Sequence, residues 1–102
     1  MFVHVSIFRF LDSVSSEEAD LLLEGIREIA DNVTGIIDIA CGASTSPYSR
    51  GLTHAILVRG TSPEILDIYR EHPKHIAAAE MMDRSQLADA THQPGLVVDF
   101  ID

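Results

Sequence analysis

Residues 2 to 10, FVHVSIFRF, alternate so that Val3, Val5 and Ile7 fall on one side of an extended chain and His4, Ser6, Phe8 and Phe10 on the other. Both sides carry large apolar groups, so a strand built from this stretch needs cover on two faces. Which segments supply that cover decides the fold.

Downstream, Ser15-Ser16-Glu17-Glu18 has the form of a capping box, with Ser15 as N-cap and Glu18 as its third residue. Ala19, Leu22, Leu23, Ile26, Ile29, Ala30 and Val33 then follow in steps of three and four, which predicts an amphipathic helix ending at Gly35. IIDIAC at 36 to 41 is a second strand, GASTSPYSRG at 42 to 51 an exposed loop, and LTHAILVR at 52 to 59 a third strand. In that third strand His54, Ile56 and Val58 share a side. Ser62-Pro63-Glu64 predicts an N-cap, a proline at the first helical position and a helix to about Glu71. Pro73 forces His72 out of helical geometry, so a further helix starts there at an angle and extends over 74 to 90, through Met81-Met82 and Leu87. His92-Gln93-Pro94-Gly95 marks a loop and LVVDFI at 96 to 101 a fourth strand.

This order is the split βαβ, ferredoxin-like arrangement, an α+β fold with one four-stranded antiparallel sheet and its helices on one face. Residues 1 to 102 make one domain. The other sheet face stays apolar and uncovered, and a second copy of the chain could close it about a two-fold axis. The expectation is a homodimer with two sheets face to face.

Composition narrows the partners. Seven Lys and Arg against sixteen Asp and Glu give a net charge of −9, which repels phosphate backbones and anionic lipid surfaces. Neither nucleic acid nor membrane is expected. No apolar run approaches the roughly 20 residues of a spanning helix. A single cysteine, Cys41, rules out an internal disulfide and suits a reducing compartment, so the expected location is cytoplasmic. His72 and His75 could ligate zinc with His4 and His54, but Pro73 spoils the helical spacing and the motif has no Cys or carboxylate. No metal is expected.

The histidines are the chemical feature. His4 and His54 on strands, with Tyr69, His72 and His75 around the helix break, could form a polar nest in an apolar pocket beneath the helices. Such a nest suits proton abstraction next to a carbonyl, a histidine taking the proton and a tyrosine hydroxyl holding the oxygen. The alternative is that these rings only satisfy backbone groups and the helix corner.

THAILV at 53 to 58, Ser62-Pro63-Glu64 and above all Tyr69-Arg70-Glu71-His72-Pro73-Lys74-His75 resemble the stress-responsive A/B barrel, or Dabb, family. His4, Gly42, Ser46 and Val98-Asp99-Phe100 extend the resemblance over nearly the whole chain. It implies a ferredoxin-like subunit in a dimeric α+β barrel. Among the proteins it resembles is a plant polyketide cyclase that makes olivetolic acid by a cofactor-free aldol closure. That likeness implies Tyr69 and His75 as the catalytic pair, with His4, His54, His72 and Asp99 binding substrate or orienting the pair, and no cofactor. Ala77, Ala78 and Ala79 replace pocket aromatics of the cyclase, Gly60 and Leu52 stand where the family commonly has aromatic residues, and the segment from His75 to Asp99 is longer. These departures argue against assuming the same substrate. The family also contains stress-associated proteins without assigned chemistry, so two expectations stand. One is a homodimer binding a small organic molecule and acting on it; the other is a non-catalytic stress-response protein with structural histidines.

Overall fold

The computed structural model describes residues 1 to 85 and 95 to 102. Its strands are β1 (Phe2–Phe8), β2 (Ile36–Ala43), β3 (His54–Gly60) and β4 (Leu96–Ile101), and its helices α1 (Ser16–Asn32), α2 (Ile65–Glu71) and α3 (Pro73–Glu80). The sheet runs β2-β3-β1-β4 with every neighbouring pair antiparallel. The two-faced stretch therefore lies inside the sheet, between β3 and β4.

Register assigns the faces, because directly opposed residues share a side. His4 faces Val58 and Asp99, and Phe8 faces His54, so these belong to one face. The three helices cover it. Phe8, Ile26, Ile29 and Val58 are fully buried there, each large side chain contributing about 1.5–3 kcal/mol by leaving water. On the other face Val5 lies opposite Leu57 and Val98, and Ile7 opposite Leu96. Leu96, Val98 and Phe100 are 60%, 58% and 46% exposed, which leaves an apolar face that the described residues of one chain do not cover.

Ser15 caps α1, its hydroxyl oxygen accepting from the Glu18 N–H at 3.1 Å and its O–H donating to the Glu18 carboxylate at 3.2 Å. Gly35, at φ +98°, takes the left-handed turn after the helix, and its carbonyl accepts from Thr61 N–H.

β2 runs two residues past its expected end and β3 starts two residues after its expected start, and three further boundaries differ from expectation. β1 stops at Phe8 rather than residue 10, because Arg9, Phe10 and Leu11 pair with the chain leaving α3. Arg9 O accepts from Asp83 N–H, Leu11 N–H donates to Met81 O, and Phe10 bridges Met82. The Arg9 guanidinium also binds the Asp83 carboxylate. Those same bonds end α3 at Glu80, short of the expected residue 90; the expected helical stretch 86 to 90 and the loop at His92, Gln93 and Pro94 lie outside the described residues. Finally, Ser62 does not cap α2. The chain makes a tight turn through Ser62 and Pro63 and becomes helical only at Ile65, after Glu64, with no side-chain cap.

Candidate functional site

Pro73 builds the site. It sets His72 at φ −63°, ψ 134°, ending α2 and starting α3 at a corner. The His72 ring caps the new helix, its Nδ1 accepting from Lys74 N–H at 3.1 Å. The corner brings His75 back over the end of α2, where its Nδ1 lies 3.1 Å from the Arg70 carbonyl oxygen. A carbonyl only accepts, so Nδ1 carries the proton and Nε2 presents a lone pair.

Tyr69 joins His75 to the sheet. Its ring centroid is 4.7 Å from that of His75 and 5.9 Å from that of His4 on β1. His4 is buried, and its Nδ1 lies 2.6 Å from Asp99 Oδ1 on β4. The Asp99 carboxylate accepts from His4 Nδ1–H as the Arg70 carbonyl accepts from His75 Nδ1–H. The structure thus brings together Tyr69, His75, His4 and Asp99. His54 does not join them: it sits four residues along the strand, about 13 Å at the usual rise, packed against Phe8 and Phe10, with Nδ1 2.7 Å from Thr53 Oγ1. The pattern of alternation gave His4 and His54 the same face but not the distance between them. His54 instead borders a separate cleft of about 330 Å3 with Phe10, Ser16 and Asp20.

Electrostatics suit proton transfer at the cluster. Burial, with the Cys41 thiol adding to it and the Arg70 charge opposing, pushes the Tyr69 phenol far up, so it remains an O–H donor. Tyr69 is 1% exposed, its hydroxyl makes no hydrogen bond among the described residues, and no fully buried side-chain polar atom there lacks a partner. Burial lowers His75 below the ordinary imidazole value, helped by the charges of His4, Arg70 and His72 and opposed by the bond to the Arg70 carbonyl. A neutral base faces a neutral acid. Burial raises the Cys41 thiol, against the pull of Arg27, which keeps it from being a thiolate nucleophile. Among the described residues no group of three or more His, Cys, Asp or Glu could hold a metal ion, and no helix is long and apolar enough to cross a membrane.

A lowered His75 has a consequence for stability. Between its folded value and the unfolded value of about 6.5, the unfolded chain binds a proton that the folded chain refuses, so stability falls as pH falls through that window. His54, lowered by burial against the charge of Asp20, acts with the same sign. The melting temperature is expected to drop between about pH 7.5 and about pH 5, and to drop less in His75→Asn, whose amide can still donate to Arg70. Equal losses in the two proteins would refute the assignment.

Comparison with known proteins now bears on this geometry. The family model described as the stress responsive A/B barrel domain matches residues 2–100. The chain belongs to the Dabb family. Solved structures agree on the fold of this Dabb chain. An Arabidopsis thaliana protein is 23% identical with TM-score 0.75, covering 100% of this chain and 95% of that one. A dimeric ferredoxin-like protein of unknown function from Jannaschia sp. CCS1 is 20% identical with TM-score 0.74, covering 99% and 98%. A hydroxynitrile lyase from Passiflora edulis is 14% identical with TM-score 0.73, covering 99% and 92%. No curated protein matches the chain. At these identities the structures establish the ferredoxin-like fold and nothing about chemistry.

Sequence reasoning missed the backbone's part in the Dabb site. The Arg70 carbonyl orients His75, and its role follows from a five-residue return across a proline corner that no residue type announces.

Proposed function

We propose that two copies of this chain pair through their open sheet faces and that each holds a small organic molecule against Tyr69 and His75. The molecule carries a carbonyl. Tyr69 O–H donates to that oxygen while His75 Nε2 removes a proton from the adjacent carbon, and the electron pair of the broken C–H bond moves into the enolate. In an aldol closure the enolate carbon attacks a second carbonyl of the same molecule, and the new alkoxide recovers the proton from the imidazolium. No cofactor enters this balance. Asp99 fixes His4, which lines the same cluster from the sheet. A substrate contact by His72, from the corner it caps, belongs to the same proposal; His54, expected from the sequence to share it, is left out, because it lies about 13 Å along the strand in its own cleft.

The observation that carries this reading is the buried phenol, its hydroxyl without a hydrogen bond among the described residues, set between two imidazoles whose Nδ1 atoms are both held by protein acceptors. A hydroxynitrile lyase is built on the same fold, which shows only that the fold can carry an enzyme. Dimeric proteins among the fold's relatives, and the uncovered apolar face, support the homodimer. The single cysteine suits a cytoplasmic protein, and the net charge of −9 disfavours nucleic-acid and membrane partners.

One observation favours the second reading, a non-catalytic stress-response dimer. His4, His54, His72 and His75 each already have a partner inside the chain, as purely structural histidines would. Mass spectrometry of small molecules extracted from the purified protein separates the two. A carbonyl compound retained by wild type and lost from Tyr69→Phe is expected; identical extracts from both proteins would favour the structural reading.

A further inference from the structure

We propose that the groove between α1 and α3, on the side of the helices away from the sheet, docks a cationic amphipathic helix of a partner protein. The groove encloses about 420 Å3 and is floored by Leu21, Leu22, Ala77 and Met81, with Glu18 and Lys74 also lining it. Leu21 is 68% exposed although it sits between the core-facing turns of a well-formed helix. Gly25 keeps the floor low: a Cβ there would stand 3.2 Å from Lys74 Cδ, so the Lys74 stem lies directly over the glycine.

Charge selects the occupant. Glu17, Glu24 and Glu28, all exposed, follow steps of seven and four and so form a row along α1 beside Leu21; with Glu18 they are four acids on this margin against the one base of the groove lining, Lys74. A second copy would bring the same acidic row against this one, and an anionic lipid surface would meet it with like charge. A helix with a basic flank satisfies both the apolar floor and its acidic margin. From Glu18 to Gly25 the groove runs about 10 Å, two helical turns, enough for apolar anchors spaced three or four residues apart. This site is independent of the Tyr69 cluster, which lies on the sheet side of the helices.

Fluorescence anisotropy with a dye-labelled 14-residue peptide of leucine and lysine, patterned as an amphipathic helix, tests the proposal against a scrambled peptide of equal composition. Wild type is expected to bind the patterned peptide at least tenfold more tightly than the scrambled one. Leu21→Glu and Ala77→Glu, both at exposed positions, are expected to weaken it at least tenfold although each adds attractive charge, with circular dichroism melts confirming the fold. Equal binding of the two peptides, or undiminished binding by both variants, would mean charge attraction alone and overturn the proposal. So would growth of the wild-type mass beyond two chains that Leu21→Glu abolishes, which would assign the groove to another copy, or binding of anionic vesicles that the same variant abolishes.

Discussion

Val98→Asp is expected to leave a folded chain that no longer pairs. Val98 stands on the open face opposite Val5, which itself faces Leu57, and it is 58% exposed in the single chain. An aspartate there costs the isolated subunit little, since its carboxylate stays in water. In a two-fold dimer both copies would bury that charge in an apolar interface without a partner, and an uncompensated buried charge costs about 3–5 kcal/mol. Even one such penalty raises the dissociation constant by roughly two to four orders of magnitude. Light scattering at micromolar concentration should therefore report two chains for wild type and one for the variant, with unchanged circular dichroism. A variant that remains paired would show that the sheet faces are not the interface. The Asp38–Arg59 ion pair on the same face would be enclosed by such a dimer, with its two charges already paired to one another.

Much of this architecture was legible in the letters. FVHVSIFRF announced a strand with two apolar sides, and it lies inside the sheet with helices on one face and open apolar surface on the other. Ser15 and Glu18 announced the start of α1 because a capping box is a local interaction, complete within four residues. Pro73 announced the corner for the same reason. What the letters hid depends on distant partners. Phe10 continues the alternation of β1, yet its segment leaves the sheet to pair with residues after α3, and only tertiary contact reveals that. Likewise alanines and methionines beyond Glu80 are compatible with helix, but Arg9 and its neighbours take up Met81 and Asp83 in other bonds.

The candidate site was legible in membership more than in geometry. Tyr69 and His75 lie six residues apart across a proline corner, so their approach at 4.7 Å follows from local chain direction. Asp99 reaches His4 because the first and last strands are neighbours, a consequence of the topology already implied by the order of elements. His54 shows where alternation fails: a shared face says nothing of separation along the strands, and the ring belongs with Phe8 and Phe10.

Loss of the acid or the base should give the largest functional effect. General acid and base groups each contribute typically 10²–10⁴-fold, so Tyr69→Phe and His75→Ala are each expected to lower a proton-transfer rate by about that range. Tyr69→Phe preserves the buried ring and its packing, removing only the hydroxyl, which makes a folding artefact easy to distinguish. His75→Ala removes the imidazole but leaves the corner, because His72 and Pro73 form it.

The measurement that bears most directly on the acid and base roles is deuterium exchange at the carbon next to a carbonyl, followed by NMR in heavy water for a panel of β-diketones, poly-β-ketones and lactones. Wild type should accelerate exchange of at least one compound class well beyond buffer, and both single variants should return it close to the buffer rate. Exchange by wild type that is no faster than by the Tyr69→Phe, His75→Ala double variant would contradict the assignment and leave the rings as structure.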